Sequence, residues 1–285
     1  MEPLSYCHRK VAPPGSAIYY ALRFSPAEQR DGLVAVHAFH AEITEIPDEV
    51  SDPGVGEVKL QWWRDEVQRL FDGTPRHPVS QALAAAMASH ELPADAFTEM
   101  LEGTGMDLAY GGYPGFRELT VYCHRTGGAL TQLLAAVAGT GSAASARFAH
   151  DLGMAHTLRR RLLSVRRDAH AGRVYIPEDE LDAAGVSRQD LLASETPPAA
   201  RELFREQANR IHAFLDQAES HLPDAERAAH RSGIILAALD RALLRELAKD
   251  NFPLLEQGVE LTPLRRLWIA WRTARQQQRL SRKAA

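Results

Sequence analysis

Apolar residues recur at three- and four-residue steps along almost all of the 285-residue chain, and that period leaves little room for anything but helices. Between 28 and 46, Leu33, Val36, His37, Phe39, His40 and Ile43 share one face. Between 55 and 71, Val58, Trp62, Leu70 and Phe71 repeat the pattern ahead of a stop at Asp72-Gly73-Thr74-Pro75. Helices are predicted next at 78–90 and 94–109, before the Gly111-Gly112-Tyr113-Pro114-Gly115 break. A longer one runs from Phe116 to Ala138, bent at Gly127-Gly128, and another from Ser142 to Asp168. Short elements follow at 178–195, then helices at 199–221, 224–249 and 262–281. Strand-like character is confined to Arg173-Val174-Tyr175-Ile176-Pro177, where the proline limits it. Thr196-Pro197-Pro198 is the best linker, but the helices beyond it more simply complete one bundle. The expectation is a single all-α domain over 1–285.

Composition narrows the function classes. Hydrophobic residues at 45% exclude disorder, and 33 Lys+Arg against 37 Asp+Glu argue against a nucleic-acid footprint. Two cysteines, Cys7 and Cys123, are too few for a disulfide scaffold and suit a reducing cytoplasm. No apolar run is long enough to predict a transmembrane helix, and the N-terminal residues lack the pattern of a secretory signal.

Three segments carry chemistry. In Glu42-Ile43-Thr44-Glu45-Ile46-Pro47-Asp48-Glu49, the glutamates at 42, 45 and 49 share a helical face. Such a face is either a solvated acidic surface or a Mg²⁺ site completed by phosphate oxygens. Pro47 removes a backbone donor inside it. In the run 158–168, Arg160, Ser164 and Asp168 stand at i, i+4 and i+8, where guanidinium groups either bind phosphate or decorate an outer face. The loop Asp168–Pro177 combines Gly172, Pro177, Arg173 and Tyr175 in a way that can frame a site. Twelve histidines show no zinc spacing, and no nucleophile elbow, phosphate loop or dinucleotide fingerprint occurs.

Together these residues resemble the squalene/phytoene synthase family. Gly15-Ser16-Ala17-Ile18-Tyr19-Tyr20 is similar to its N-terminal helix, and Ala35-Val36-His37-Ala38-Phe39 to the helix leading into its first aspartate motif. Leu60-Gln61-Trp62-Trp63-Arg64, Gly105-Met106-Asp107-Leu108 and Tyr122-Cys123-His124-Arg125-Thr126-Gly127-Gly128 resemble its central segments. Gly172-Arg173-Val174-Tyr175-Ile176-Pro177 resembles the stretch after its second motif. The resemblance implies an isoprenoid synthase-like helical bundle around a central apolar cavity. It also implies head-to-head condensation of two prenyl diphosphates in squalene, hopanoid or carotenoid synthesis. Two Asp-rich motifs on facing helices then hold the Mg²⁺ that stabilises the departing diphosphate.

Both motifs are altered here. Asp-Asp-x-x-Asp has become Thr44-Glu45-Ile46-Pro47-Asp48, and Asn-x-x-x-Asp-x-x-x-Asp has become Arg160, Ser164 and Asp168. By resemblance, the metal ligands would be Glu45, Asp48, Glu49 and Asp168, the catalytic tyrosines Tyr19 and Tyr175, and the diphosphate-binding residues Ser16, Arg160 and Arg173. An arginine at 160 repels a cation, yet binds diphosphate directly. Two readings follow: a Mg²⁺-dependent prenyltransferase, and a non-catalytic member that binds an isoprenoid or a partner protein. The second resembles the family's complex I assembly-factor branch. Either is expected in the cytoplasm, with peripheral contact at the inner membrane compatible with both. For the metal set to work, Glu45, Asp48 and Asp168 must face one apolar cavity.

Overall fold

The computed structural model describes residues 2–284, and side chains as far as 280; among these there is no strand. Helices α1 (Pro3–Val11) and α2 (Ala17–Phe24) precede the long α3 (Arg30–Glu49) and α4 (Pro53–Phe71). Then come α5 (Pro78–Met87), α6 (Ala94–Ala109), α7 (Phe116–Cys123) and α8 (Ala129–Val137). The second half holds α9 (Ala143–Leu163), α10 (Val165–His170), α11 (Glu178–Ala184), α12 (Pro198–His221), α13 (Arg231–Lys249) and α14 (Pro263–Ala284). Starts are set by capping chemistry. Ser16 Oγ accepts from Tyr19 N–H at 3.1 Å, Asp52 Oδ1 from Gly54 N–H at 2.7 Å, and Ser142 Oγ from Ser145 N–H at 3.0 Å.

Several expectations shift. The helix predicted over 116–138 is α7 and α8 joined by a π-turn at His124–Gly128, so the glycine pair widens the helix rather than bending it. The helix to Asp168 is interrupted at Ser164 (φ −98°, ψ 5°), and α13 begins at Arg231, after a turn, instead of at 224. The strand-like run 173–177 is an extended strap without a ladder: Val174 N–H donates to Gly111 O at 3.0 Å, and Glu178 N–H to Tyr113 O at 2.9 Å. On α4 the buried stripe is Leu60, Trp63, Val67 and Leu70, while Val58 is 71% exposed and Trp62 and Phe71 also face outward. The helix is rotated because Trp63, not Trp62, meets the Phe39 ring, edge-on at 5.4 Å.

Three apolar clusters build the interior. One joins α1, α3, α4, α5, α6 and α8 around Phe39, Phe97 and Leu133. A second packs α9 and α12 with the strap and part of α13. A third closes α2 and α13 under α14. The crossing of α9 over the π-turn is close: a Cβ on Gly127 would lie 2.2 Å from Gly153 O, and one on Gly153 2.3 Å from Gly127 O. Thr131 Oγ1 donates across this crossing to Ala149 O at 2.6 Å. Only glycine fits at both positions, and this contact brings the arginines of α9 beside Tyr122.

Candidate functional site

Where the three clusters meet lies a cavity of about 570 Å³, lined by the start of α2, α3, the π-turn and α8, α9, α13 and residues 254–261. Leu130, Leu163, Leu236, Leu239 and Leu243 make most of it apolar. Its polar wall comes from α3 and α9, where the i, i+3 pair His37 and His40 faces His156, Arg159 and Arg160.

The electrostatics of that wall are uneven. Burial pushes the His37 imidazole down to about 4, with His156 adding repulsion. Burial also holds His40 well below the ordinary histidine value, and the Arg160 charge adds to the effect. Both rings are therefore neutral at pH 7. Arg159 is neutralised by Asp240, with Nε 3.0 Å from Oδ1, and His156 Nδ1 hydrogen-bonds the other oxygen of that carboxylate. The His156 Nε2 atom is buried without a partner. Arg160 reaches only the Tyr122 hydroxyl, at 3.4 Å, and has no carboxylate partner among the described residues. Net positive charge on this wall thus resides on Arg160.

The carboxylates of the altered motifs lie elsewhere, and each is held by a cation of the protein. Lys10 Nζ stands 2.5 Å from Glu45 and 3.5 Å from Glu42. Glu42 also accepts from the Tyr6 hydroxyl at 2.7 Å, a bond that, with burial, pushes the Tyr6 phenol up to about 12. Glu49 pairs with Lys59 at 2.8 Å on the surface. Asp48 is clamped by Arg173, with Arg167 at 3.6 Å, in an outer cleft between the end of α3 and residues 107–111. Arg173 Nη1 donates as well to Pro47 O at 3.2 Å, satisfying a carbonyl that the end of a helix leaves open.

Asp168 is 1% exposed and receives Arg161 and Arg167, each at 3.4 Å. Burial nevertheless raises its carboxyl above the usual aspartate range. It borders a void of about 20 Å³, separate from the central cavity. Arg161 is the centre of this region. Its Nη2 lies 2.6 Å from Asp107 Oδ2, and its guanidinium sits 3.8 Å over the Tyr175 ring. The hydroxyls of Tyr122 (3.2 Å) and Tyr175 both donate to Asp107. Burial and the Asp107 charge push both phenols far above their ordinary value, so neither ionises near neutrality.

Glu45 and Glu49 therefore stand apart from the second motif, while Asp48 and Asp168 approach each other only across Arg167, whose Nη2 lies 3.6 Å from the first and 3.4 Å from the second. None lines the central cavity, and no cluster of three or more His, Cys, Asp or Glu suited to a metal exists among the described residues. A Mg²⁺ site needs carboxylates open to waters and phosphate, whereas these donors already carry ammonium or guanidinium partners that repel a divalent ion. The donor set does not fit Mg²⁺. Of the remaining expected residues, Ser16 and Arg160 line the cavity together. Arg173 closes the outer cleft, and Tyr175 belongs to the Asp107–Arg161 network. Tyr19 packs against Tyr20 at 5.2 Å, outside the cavity lining.

A family model for squalene/phytoene synthases matches residues 11–267. The chain belongs to the squalene/phytoene synthase family. It is 33% identical over 233 residues to a phytoene synthase of Mycobacterium tuberculosis, covering 81% of this chain and 76% of that protein. It is 27% identical over 259 residues to phytoene synthase 1 of Arabidopsis thaliana, covering 88% of this chain but only 61% of the plant protein's length. A crystal structure of a dehydrosqualene synthase in complex with ligand superposes with a TM-score of 0.87, at 18% identity and 97% coverage of both chains. The fold is thus the all-α isoprenoid synthase-like bundle.

Proposed function

We propose that this squalene/phytoene synthase-like chain binds prenyl diphosphates in its central cavity. The isoprenoid tail lies among Leu130, Leu236, Leu239 and Leu243, and the diphosphate rests on Arg160 near Ser16. The observation that carries this reading is a guanidinium with no carboxylate partner in the wall of a 570 Å³, largely apolar cavity. Such a group pairs with a phosphate oxygen in a charge-assisted bond, and apolar walls remove the competing water. Burial of the prenyl chain supplies affinity at roughly 0.8 kcal/mol per methylene removed from water. Head-to-head condensation of two such ligands is the reaction that family membership supports.

A second reading, a non-catalytic member that binds an isoprenoid or a partner protein, is favoured by the pairing of every motif carboxylate with a lysine or arginine. Diphosphate departure leaves an allylic cation, and one arginine stabilises the leaving group far less than a cluster of divalent ions does. Incubating the protein with farnesyl or geranylgeranyl diphosphate, with and without Mg²⁺, and following diphosphate release separates the two. Mg²⁺-dependent release with a condensed product establishes the transferase and sinks the second reading. Saturable binding by calorimetry with no release supports the second, and no binding at all refutes the diphosphate site.

A further inference from the structure

Helix α14 has two unlike faces. Ala270 and Ala274 are buried against α2 and α13, with Gln277 continuing the inward stripe. The outward face carries Leu264, Trp268 and Trp271 at i, i+4 and i+7, exposed by 79%, 53% and 43%. One turn further, Arg272 stacks over Trp268 at 5.2 Å and Arg275 over Trp271 at 5.0 Å. No ion pair to Arg272, Arg275 or Arg279 occurs among the described residues, in contrast to Arg265 and Arg266, which pair with Glu246 and Glu260. The charge is segregated along the whole segment: residues 261–285 contain seven Arg or Lys and no Asp or Glu, in a chain of net charge −4.

We propose that this face of α14 docks the protein on an anionic lipid surface. Exposed tryptophans beside arginines are the chemistry of the headgroup region, where an indole sits at the apolar boundary and a guanidinium meets lipid phosphate. Acid-free charge complements an anionic leaflet, and each arginine near it strengthens binding about fivefold. A second copy is a poor occupant, because a two-fold contact through this face would set like charges against each other. No helix among the described residues is long and apolar enough to cross a membrane, so the contact is a peripheral one. The same helix gives Arg266 to the cavity lining, so docking brings the cavity wall to the surface from which a lipophilic ligand would arrive.

Flotation of the full chain with vesicles tests this, using phosphatidylcholine alone and phosphatidylcholine mixed equally with phosphatidylglycerol. The protein is expected to float with the mixed vesicles, to stay behind with phosphatidylcholine, and to be released by high salt. Trp268→Ser with Trp271→Ser should abolish flotation. Arg272→Gln with Arg275→Gln and Arg279→Gln should weaken it by about a hundredfold. Trp62→Ser, on the exposed face of α4, should leave it unchanged. All these positions are exposed, so melting curves should match the parent chain. Absence of flotation with mixed vesicles, equal flotation of every variant, or a soluble dimer that the α14 variants convert to monomer would each overturn the proposal.

Discussion

Asp107→Asn removes a negative charge from a region in which it holds three side chains at once. Its carboxylate lies 2.6 Å from Arg161 Nη2 and accepts from the hydroxyls of Tyr122 and Tyr175. Arg161 is 7% exposed, and without Asp107 its remaining acidic partner is Asp168 at 3.4 Å. Asparagine keeps the shape but offers one acceptor where two phenols and a guanidinium need one. Breaking a buried ion pair from one side costs about 3–5 kcal/mol, because the other charge stays behind unpaired. For a chain of this size the loss lowers the melting temperature by about 10 °C. Urea unfolding followed by circular dichroism should move to a lower midpoint with an unchanged slope. Replacing both partners, Asp107→Leu with Arg161→Leu, should cost less than the sum of the single changes, since no lone charge remains buried. A loss below about 0.5 kcal/mol for Asp107→Asn, or strict additivity in the double variant, would refute the idea that this pair is coupled.

Two further outcomes concern stability alone. His37 and His230 are both pushed to about 4 by burial, so the folded chain keeps them neutral while the unfolded chain protonates them near 6.5. Stability is therefore complete above pH 6.5 and falls as pH drops towards 4, each residue contributing up to about 1.4 kcal/mol per pH unit; a midpoint that stays flat across this window would contradict it. Gly127→Ala would set a Cβ 2.2 Å from Gly153 O, a backbone atom that cannot swing aside, and should cost upwards of about 3 kcal/mol in urea unfolding. An alanine variant as stable as the parent would show that the π-turn relaxes freely.

The architecture was readable because it rests on period. Most helices, the break at Gly111–Gly115 and the single bundle follow from apolar spacing and from glycine and proline positions. The errors arise where period is ambiguous. With Trp62 and Trp63 adjacent, either can begin a buried stripe on α4, and only the position of Phe39 on another helix decides for Trp63. The site was legible in its types and not in its pairings. Arg160, Ser164 and Asp168 stand at i, i+4 and i+8, but eight residues overshoot two helical turns by about a quarter turn, whereas seven nearly complete them. Asp168 accordingly pairs with Arg161 at i−7, and with its neighbour Arg167, while the other acidic partner of Arg161 is Asp107, which lies on α6. Lys10 carried no signal, since its role depends on α1 lying beside α3. Pairings across more than thirty residues of chain are set by tertiary packing, and no local pattern encodes them.

The central claim is that the cavity holds a diphosphate through Arg160 rather than through carboxylate-held Mg²⁺. Calorimetric titration of farnesyl thiolodiphosphate, an analogue whose diphosphate leaves slowly, tests it most directly when run once with Mg²⁺ and once with a chelator. The account predicts equal affinity in both, with a tenfold to hundredfold loss in Arg160→Ala, as expected for one charged hydrogen-bonded contact. Affinity that appears only with Mg²⁺ and survives Arg160→Ala would contradict it.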